Sequence, residues 1–508
     1  MSERVLVWLR NDLRLHDNEA LAAAISGRPQ SMAVVYCLDP RQFGTTELCG
    51  FPKTGSFRAK FLFESLADLR DKLREKGNDL VILRGKPEIE IPILCEKYQV
   101  MEIYYHEEAT SEELSVERKL SSQLKVINNN PVKLNRYWGA TLFHRDDLPY
   151  EIEELPNVFT QFRVGCEKQS KIRPPIQIPK LIPGPIPGME TGELPTLAEF
   201  RLPPVHADER AVLNFHGGET AALARLDDYI WQKDRLKIYK NTRNGLLGAN
   251  YSSKFSAWLA FGCISPRFIA SEVARYERER EQNESTYWMI FELIWRDYFR
   301  FYALKCGNSL FYQSGTGGIR KKWNLDFEKL HLWIEGNTGI PFVDANMREL
   351  LLTGFQSNRG RQNVASFLAK NLGIDWRAGA EWFESQLIDY DVSSNWGNWA
   401  YVAGVGNDPR QDRYFHVIKQ ARDYDPEARF VKTWLPELKS LDAPDAHEPW
   451  LLQKKNRQQT FEAFGPEIDY RIPMIDLDDS YKKLRAEQAG DLGDKTRPFH
   501  RGGSRKRK

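Results

Sequence analysis

VLVWLRNDLRLHDNEAL, residues 5–21, passes from an apolar, strand-like run through a polar turn into helical spacing from Asn18. That order marks the first half of a strand–helix–strand unit. Outward from it, MAVVYCL (32–38), DLVIL (79–83), MEIYY (101–105) and VKLN (132–135) read as buried strands. Residues 18–25, 57–76 and 111–120 between them read as helices. Such alternation predicts an α/β domain over residues 1–135, a doubly wound parallel sheet with right-handed crossovers. No G-x-G-x-x-G follows the first strand, so a conventional dinucleotide site is not expected in this domain.

The material changes after residue 135. RPPIQIPKLIPGPIPG (173–188) carries six prolines in sixteen residues and should run extended, so residues 136–214 read as an interdomain linker. Only two of the 14 tryptophans, Trp8 and Trp138, precede residue 230. Beyond it, segments with a 3.6-residue period (217–233, 252–261, 286–304, 342–352, 361–372, 378–388 and 412–421) predict an all-α domain over residues 215–475. Charge then rises, and residues 476–508, ending RGGSRKRK, read as a disordered tail.

Charge and cysteine usage bound the function. With 72 basic and 70 acidic side chains the net charge is +2, and the last eight residues hold five of the basic ones. A general nucleic-acid binder is strongly basic, so any nucleic-acid site here is a local patch. No apolar run reaches membrane-spanning length, and the first residues resemble neither a signal nor a transit peptide. Six dispersed cysteines without a CxxC point to reduced thiols in a soluble, cytoplasmic protein.

Four segments of the helical half combine polar and aromatic residues beyond what packing requires. In NYSSKFSAWLAFGCISP (250–266), Ser252, Ser253 and Ser256 stand near a helix start, where free N–H groups favour a phosphate or simply a serine cap. In WMIFELIWRDYFRFY (288–302), Glu292, Trp295, Arg296 and Phe299 share one helical face. An acid, an indole and a guanidinium there suit a flat, polar ligand such as a nucleobase, or else an ordinary Glu–Arg pair at the rim of the core. In GFQSNRGRQNVASFLAK (354–370), Asn358, Arg359 and Arg361 stand at a helix start, where arginines oppose the dipole unless an anion is near. SQLIDYDVSSNWGNWAYVAGVG (385–406) offers that anion in Asp389 and Asp391. No histidine or carboxylate cluster with ligand spacing supports a metal, so none is expected.

Together these segments resemble the flavin-binding domain of the photolyase/cryptochrome family. SSKFS (252–256), SNRGRQN (357–363), SNWGNWAYVAGVG (394–406) and KQARDYDPE (419–427) are similar to its cryptochrome DASH branch. The resemblance implies FAD in the helical half and an antenna pterin, 5,10-methenyltetrahydrofolate, between the domains. It assigns Tyr239 and the run Ser252, Ser253, Lys254, Phe255 and Ser256 to the FAD phosphates and ribityl chain. Arg361 and Asp389 match the ion pair beside the isoalloxazine, Asp391 the acid on its polar edge, and Asn395 the residue facing N5. Trp399, Trp376 and Trp323 match an electron chain from flavin to surface, and Glu108 in YYHEEATSEE (104–113) matches the acid that binds the pterin.

For the substrate, the resemblance implies Arg243 and Lys254 on the DNA-phosphate side, and Glu292, Trp295, Arg296, Asn358 and Arg359 at a pyrimidine-dimer pocket. Gln362 stands where duplex-repairing photolyases have Met, and Tyr401 where they have a second stacking Trp. The expected protein is a monomeric enzyme that repairs cyclobutane pyrimidine dimers in single-stranded or locally unpaired DNA by electron transfer from excited, reduced FAD. A blue-light photoreceptor that binds nucleic acid, RNA included, or a protein partner and signals through flavin redox state is the alternative. A dark electron carrier leaves the face bearing Glu292 unexplained.

Overall fold

The computed structural model describes residues 4–125, 131–410, 413–452 and 470–494. Five parallel strands form one sheet in the order β3-β2-β1-β4-β5: β1 (Arg4–Leu9), β2 (Ser31–Leu38), β3 (Leu80–Arg84), β4 (Glu102–His106) and β5 (Lys133–Tyr137). In the central register Val7 lies beside Val34 on one side and Tyr104 on the other. Helices α1 (Glu19–Ser26), α2 (Ser56–Glu75), α3 (Pro87–Tyr98) and α4 (Ser111–Leu124) alternate with the strands. The α/β expectation therefore holds. The sequence pattern did not reveal α3, because Pro87 at its first turn and Pro92 inside it read as breakers.

The polar turn after β1 works as a knot between the two halves of the molecule. Arg14, 2 % exposed, donates to the carbonyls of Gly139, Asp17 and Gly262 at 2.9–3.0 Å. Asp17 pairs with Arg267 at 2.7 Å, and the Glu219 carboxylate accepts the N–H groups of Leu15 and His16. Such contacts need side chains where a dinucleotide fingerprint would have glycine.

The expected linker is more than a connection. It contains α5 (Phe159–Gln169), whose Phe159 and Phe162 are buried in the core shared by the two halves. The proline-rich run has no helix or strand; it and the residues just after it lie along the sheet through backbone bonds from Met32 to Gly184 and from Ile82 to Thr191.

The helical half begins with α6 (Glu219–Asp227), α7 (Tyr239–Thr242), α8 (Ser256–Ala260) and α9 (Pro266–Glu279). The 23-residue α10 (Glu284–Cys306) follows, opened by a capping box between Asn283 and Thr286. Then come α11 (Phe327–Ile334), α12 (Pro341–Thr353), α13 (Asn358–Ser366), α14 (Trp376–Gln386) and α15 (Val392–Ala403). The described chain closes with α16 (Val417–Tyr424), α17 (Arg429–Trp434), α18 (Ala443–His447) and α19 (Leu477–Asp494).

Helix α19 stands where the sequence predicts fading order. Tyr481, 1 % exposed, stacks on His416 at 4.1 Å and accepts the Val417 N–H, so burial of one aromatic anchors a segment whose charge reads as a tail. RGGSRKRK lies outside the described residues. All six cysteines are unpaired, and no helix among the described residues is long and apolar enough to cross a membrane.

Candidate active site

Ser357 caps α13 by accepting the Gly360 N–H at 3.0 Å, which places Arg361 on the helix's first turn facing the loop before α15. There one Arg361 nitrogen meets both oxygens of Asp389 at 2.9 Å, and its Nε donates to the Gln356 carbonyl. Two residues on, Asp391 caps α15 by accepting the Ser394 N–H at 2.8 Å, and its second oxygen takes Arg300 at 2.9 Å. Burial works to raise the Asp391 pKa, but Arg300, Arg296 and the Ser394 N–H overcome it and hold the acid well below the usual carboxylate range. Arg361, Asp389, Asp391, Asn358, Gln362, Asn395 and Trp399 line one small cavity of about 90 Å³. Asn395 donates its Nδ2 to the Ala380 carbonyl at 3.0 Å, which leaves Oδ1 as its acceptor for a ligand.

The serine segment forms a second polar surface. Arg225 donates to the carbonyls of Ala249, Ser252 and Ser253, fixing the loop ahead of the short helix α8. Tyr239, Ser253 and Phe255 are buried, while Ser256 is exposed at the first position of α8. Lys254 is 3 % exposed, has φ of +64°, and points its Nζ over the Tyr251 ring with no hydrogen-bond partner. Burial depresses its pKa well below the ordinary value, against the pull of Glu349. Expected on the DNA side as well as the cofactor side, Lys254 is too deeply buried to reach DNA.

Beside Lys254 the Tyr251 hydroxyl and both Glu349 oxygens are buried without partners, as are the Gln356 amide and Asn346 Oδ1 near Gly360. Burial pushes Glu349 up to about 8 despite Lys254 and Arg361. Orphaned donors and acceptors at this density are costly unless a polar ligand satisfies them. A buried lysine and serine hydroxyls for a diphosphate, with amides and a carboxyl for hydroxyl groups, fit FAD.

The expected substrate face lies on α10. Glu292 pairs with Arg243 at 2.7 Å, and burial raises the acid against that pull. Trp295 stacks on Phe159 at 3.6 Å, and Tyr401 meets it edge-on at 6.2 Å. Arg359 donates to Gln362 at 2.9 Å and lies over Tyr424. Arg296 departs from expectation: it donates to the carbonyls of Ala140 and Leu259, so it ties the interdomain segment to α8 instead of facing a ligand.

Of the three tryptophans, Trp399 lines the small cavity, Trp376 is fully buried with Nε1 donating to the Gln313 carbonyl, and Trp323 is half-buried. Trp376 also meets Trp396 edge-on at 5.7 Å.

Glu108 stands in a larger cavity of about 1150 Å³ between the domains. Arg10, Asn11 and Glu108, which follow β1 and β4, line it at the point where the strand order reverses, the usual ligand crevice of an open α/β sheet. Glu108 accepts from Asn11 Nδ2 at 2.9 Å and from Arg300 at 3.2 Å. Sequence reasoning missed Arg300, Arg225 and Glu349. Each is a buried ionisable group on a helix, and what surrounds it comes mainly from other segments: Glu108 and Asp391 for Arg300, the 249–253 loop for Arg225, and Lys254 for Glu349.

Comparisons with known proteins cover both halves. Residues 5–180 match the DNA photolyase family model, and residues 288–489 match the FAD binding domain of DNA photolyase. The chain is 55% identical over 476 residues to a cryptochrome DASH of Gloeobacter violaceus, covering 94% of each. It superposes on the crystal structure of a Synechocystis cryptochrome with a TM-score of 0.89 and 51% identity, covering 96% of this chain and 99% of that one. A class III photolyase from Agrobacterium tumefaciens gives a TM-score of 0.81 at 27% identity over 97% and 98% of the two chains. With its sheet domain, its FAD-binding domain and nearly its whole length matched, the chain belongs to the photolyase/cryptochrome family, in the cryptochrome DASH branch.

Proposed function

We propose that the protein uses light to split cyclobutane pyrimidine dimers in single-stranded or locally unpaired DNA, with FAD in the helical half and 5,10-methenyltetrahydrofolate against Glu108 as antenna. The observation that carries this reading is adjacency: Gln362 and Asn358 of the proposed lesion pocket line the same cavity as Arg361, Asp389, Asp391, Asn395 and Trp399. Bound in its fully reduced form, FAD supplies the light-driven electron that opens the cyclobutane ring and receives it back.

The chain's own residues position, charge and shield. Arg361 with Asp389, and Asp391 held ionised, fix the polar edge of the cofactor site. Asn395 Oδ1, its amide anchored on Ala380, accepts from a protonated ring nitrogen and so favours the reduced cofactor. Glu292 offers its carboxyl oxygens as hydrogen-bond partners to a pyrimidine, while Arg243 at 2.7 Å keeps the acid in place. Trp295, held by Phe159, offers an aromatic surface to a base already out of its stack.

The test is irradiation of a single-stranded oligonucleotide carrying one dimer, with a dark control. Restored pyrimidine absorbance under blue light only is expected. Binding without repair would replace the enzyme by the photoreceptor.

A further inference from the structure

Arg300 lies between the two proposed cofactor sites. Only 4 % exposed, it donates one nitrogen to Glu108 Oε2 at 3.2 Å and the other to Asp391 Oδ2 at 2.9 Å. Glu108 belongs to the interdomain cavity, and Asp391 also lines the small cavity beside Trp399 and Asn395. The other charged groups nearby are engaged elsewhere: Arg296 on two carbonyls, and Asp297 on the N–H groups of Leu142 and Phe143 at 2.9 and 2.8 Å. Arg300 is thus the group that touches both acids.

Each acid is half-used. A carboxylate offers about four lone-pair sites. Glu108 fills one on each oxygen with Asn11 and Arg300; Asp391 fills one on each with Ser394 and Arg300. What remains on each is acceptor capacity for a ring N–H: at Glu108 for the adjacent ring N–H and amino group of a pterin, and at Asp391 for the single imide N–H on the polar edge of a flavin. We propose, resting on those cofactor assignments, that Arg300 couples the two sites, so that a pterin bound at Glu108 tightens the retention of FAD at Asp391.

The physical reason is competition for one guanidinium. Donors from a pterin draw charge density from Glu108 and weaken its pull on Arg300. The freed guanidinium moves toward Asp391, which is then held more firmly ionised and oriented as an acceptor. In a buried site such charge-assisted contacts are strong and little screened. Linkage between two binding sites through a shared element typically amounts to about 5-fold or more in affinity.

The test uses FAD-loaded full-length protein, diluted with and without saturating 5,10-methenyltetrahydrofolate. FAD release is followed by size filtration, and pterin occupancy is read from its near-ultraviolet band. Bound pterin should slow FAD release about 5-fold or more in the wild type. In Arg300→Lys, whose single ammonium cannot fork to both acids, the ratio should fall to near one. Unchanged or faster release with pterin bound in the wild type overturns the proposal, and that comparison stands even if the variant fails to fold. Equal slowing in wild type and Arg300→Lys, or no pterin binding, overturns it as well. Dimer repair needs FAD alone, so a wild type that repairs dimers but shows no pterin effect on FAD release separates this failure from failure of the proposed function.

Discussion

Trp399 lies against Gly379, so close that a Cβ on the glycine would stand 2.2 Å from the indole Cη2. The helix α14 comes near α15 at this point because one residue has no side chain. Gly379→Ala should push the indole out of its place beside the small cavity. We expect flavin photoreduction slowed several-fold, with a cost to stability of roughly 1–3 kcal/mol from overpacking. Photoreduction rate and denaturant midpoint, measured on one preparation, check both.

Trp399→Phe should retain FAD and lose most light-driven flavin reduction by external thiol. The indole is a readily oxidised group that lines the same cavity as the clamp, and phenylalanine keeps most of the volume. Photoreduction at the wild-type rate would remove Trp399 from the electron chain.

Glu108→Gln should weaken pterin binding at least 10-fold without loss of FAD. An amide is a poorer acceptor than a carboxylate, and it also releases Arg300. Titration with 5,10-methenyltetrahydrofolate, read in the near ultraviolet, gives the answer.

Glu219 makes the contact between the halves dependent on pH. Burial tends to raise its pKa, but the hydrogen bond and charge of His16, with Lys72, bring it from 4.5 down to about 2. Stabilisation from a depressed carboxylate is fully present above its unfolded value and is lost as pH falls from 4.5 through 2. The contribution is roughly 3 kcal/mol. Unfolding free energy measured across that window should fall less steeply in Glu219→Gln than in the wild type.

The sequence revealed most of the sheet because buried parallel strands are continuous apolar runs, and it revealed the clamp residues because their motifs are long. It did not reveal α15 as a helix. Asn, Ser and Gly in SSNWGNW are poor helix formers, and the helix is set instead by the Asp391 cap and by packing on α14 and α10. Arg300 was illegible for another reason. Its partners lie 192 and 91 residues away, and only the fold brings them together. Arg296, on the same face as Glu292 in the helical count, turns to two backbone carbonyls that no periodicity displays.

The proposed lesion pocket discriminates among DNA substrates by how far the dimer is already extruded. Extruding a dinucleotide from a duplex costs a few kcal/mol, and much less from a single strand. Here one face of Trp295 is covered by Phe159, Tyr401 presents an edge to it, and Gln362 is bonded to Arg359. An indole partner is worth roughly 1–3 kcal/mol in base stacking, and a loss of ~1.4 kcal/mol is tenfold in affinity. The most direct measurement is blue-light repair of one dimer sequence presented as single strand, as a bubble and as closed duplex, at equal concentrations of reduced protein. We predict turnover on the single strand and the bubble at least 10-fold above that on the duplex. Equal turnover on all three would contradict the account.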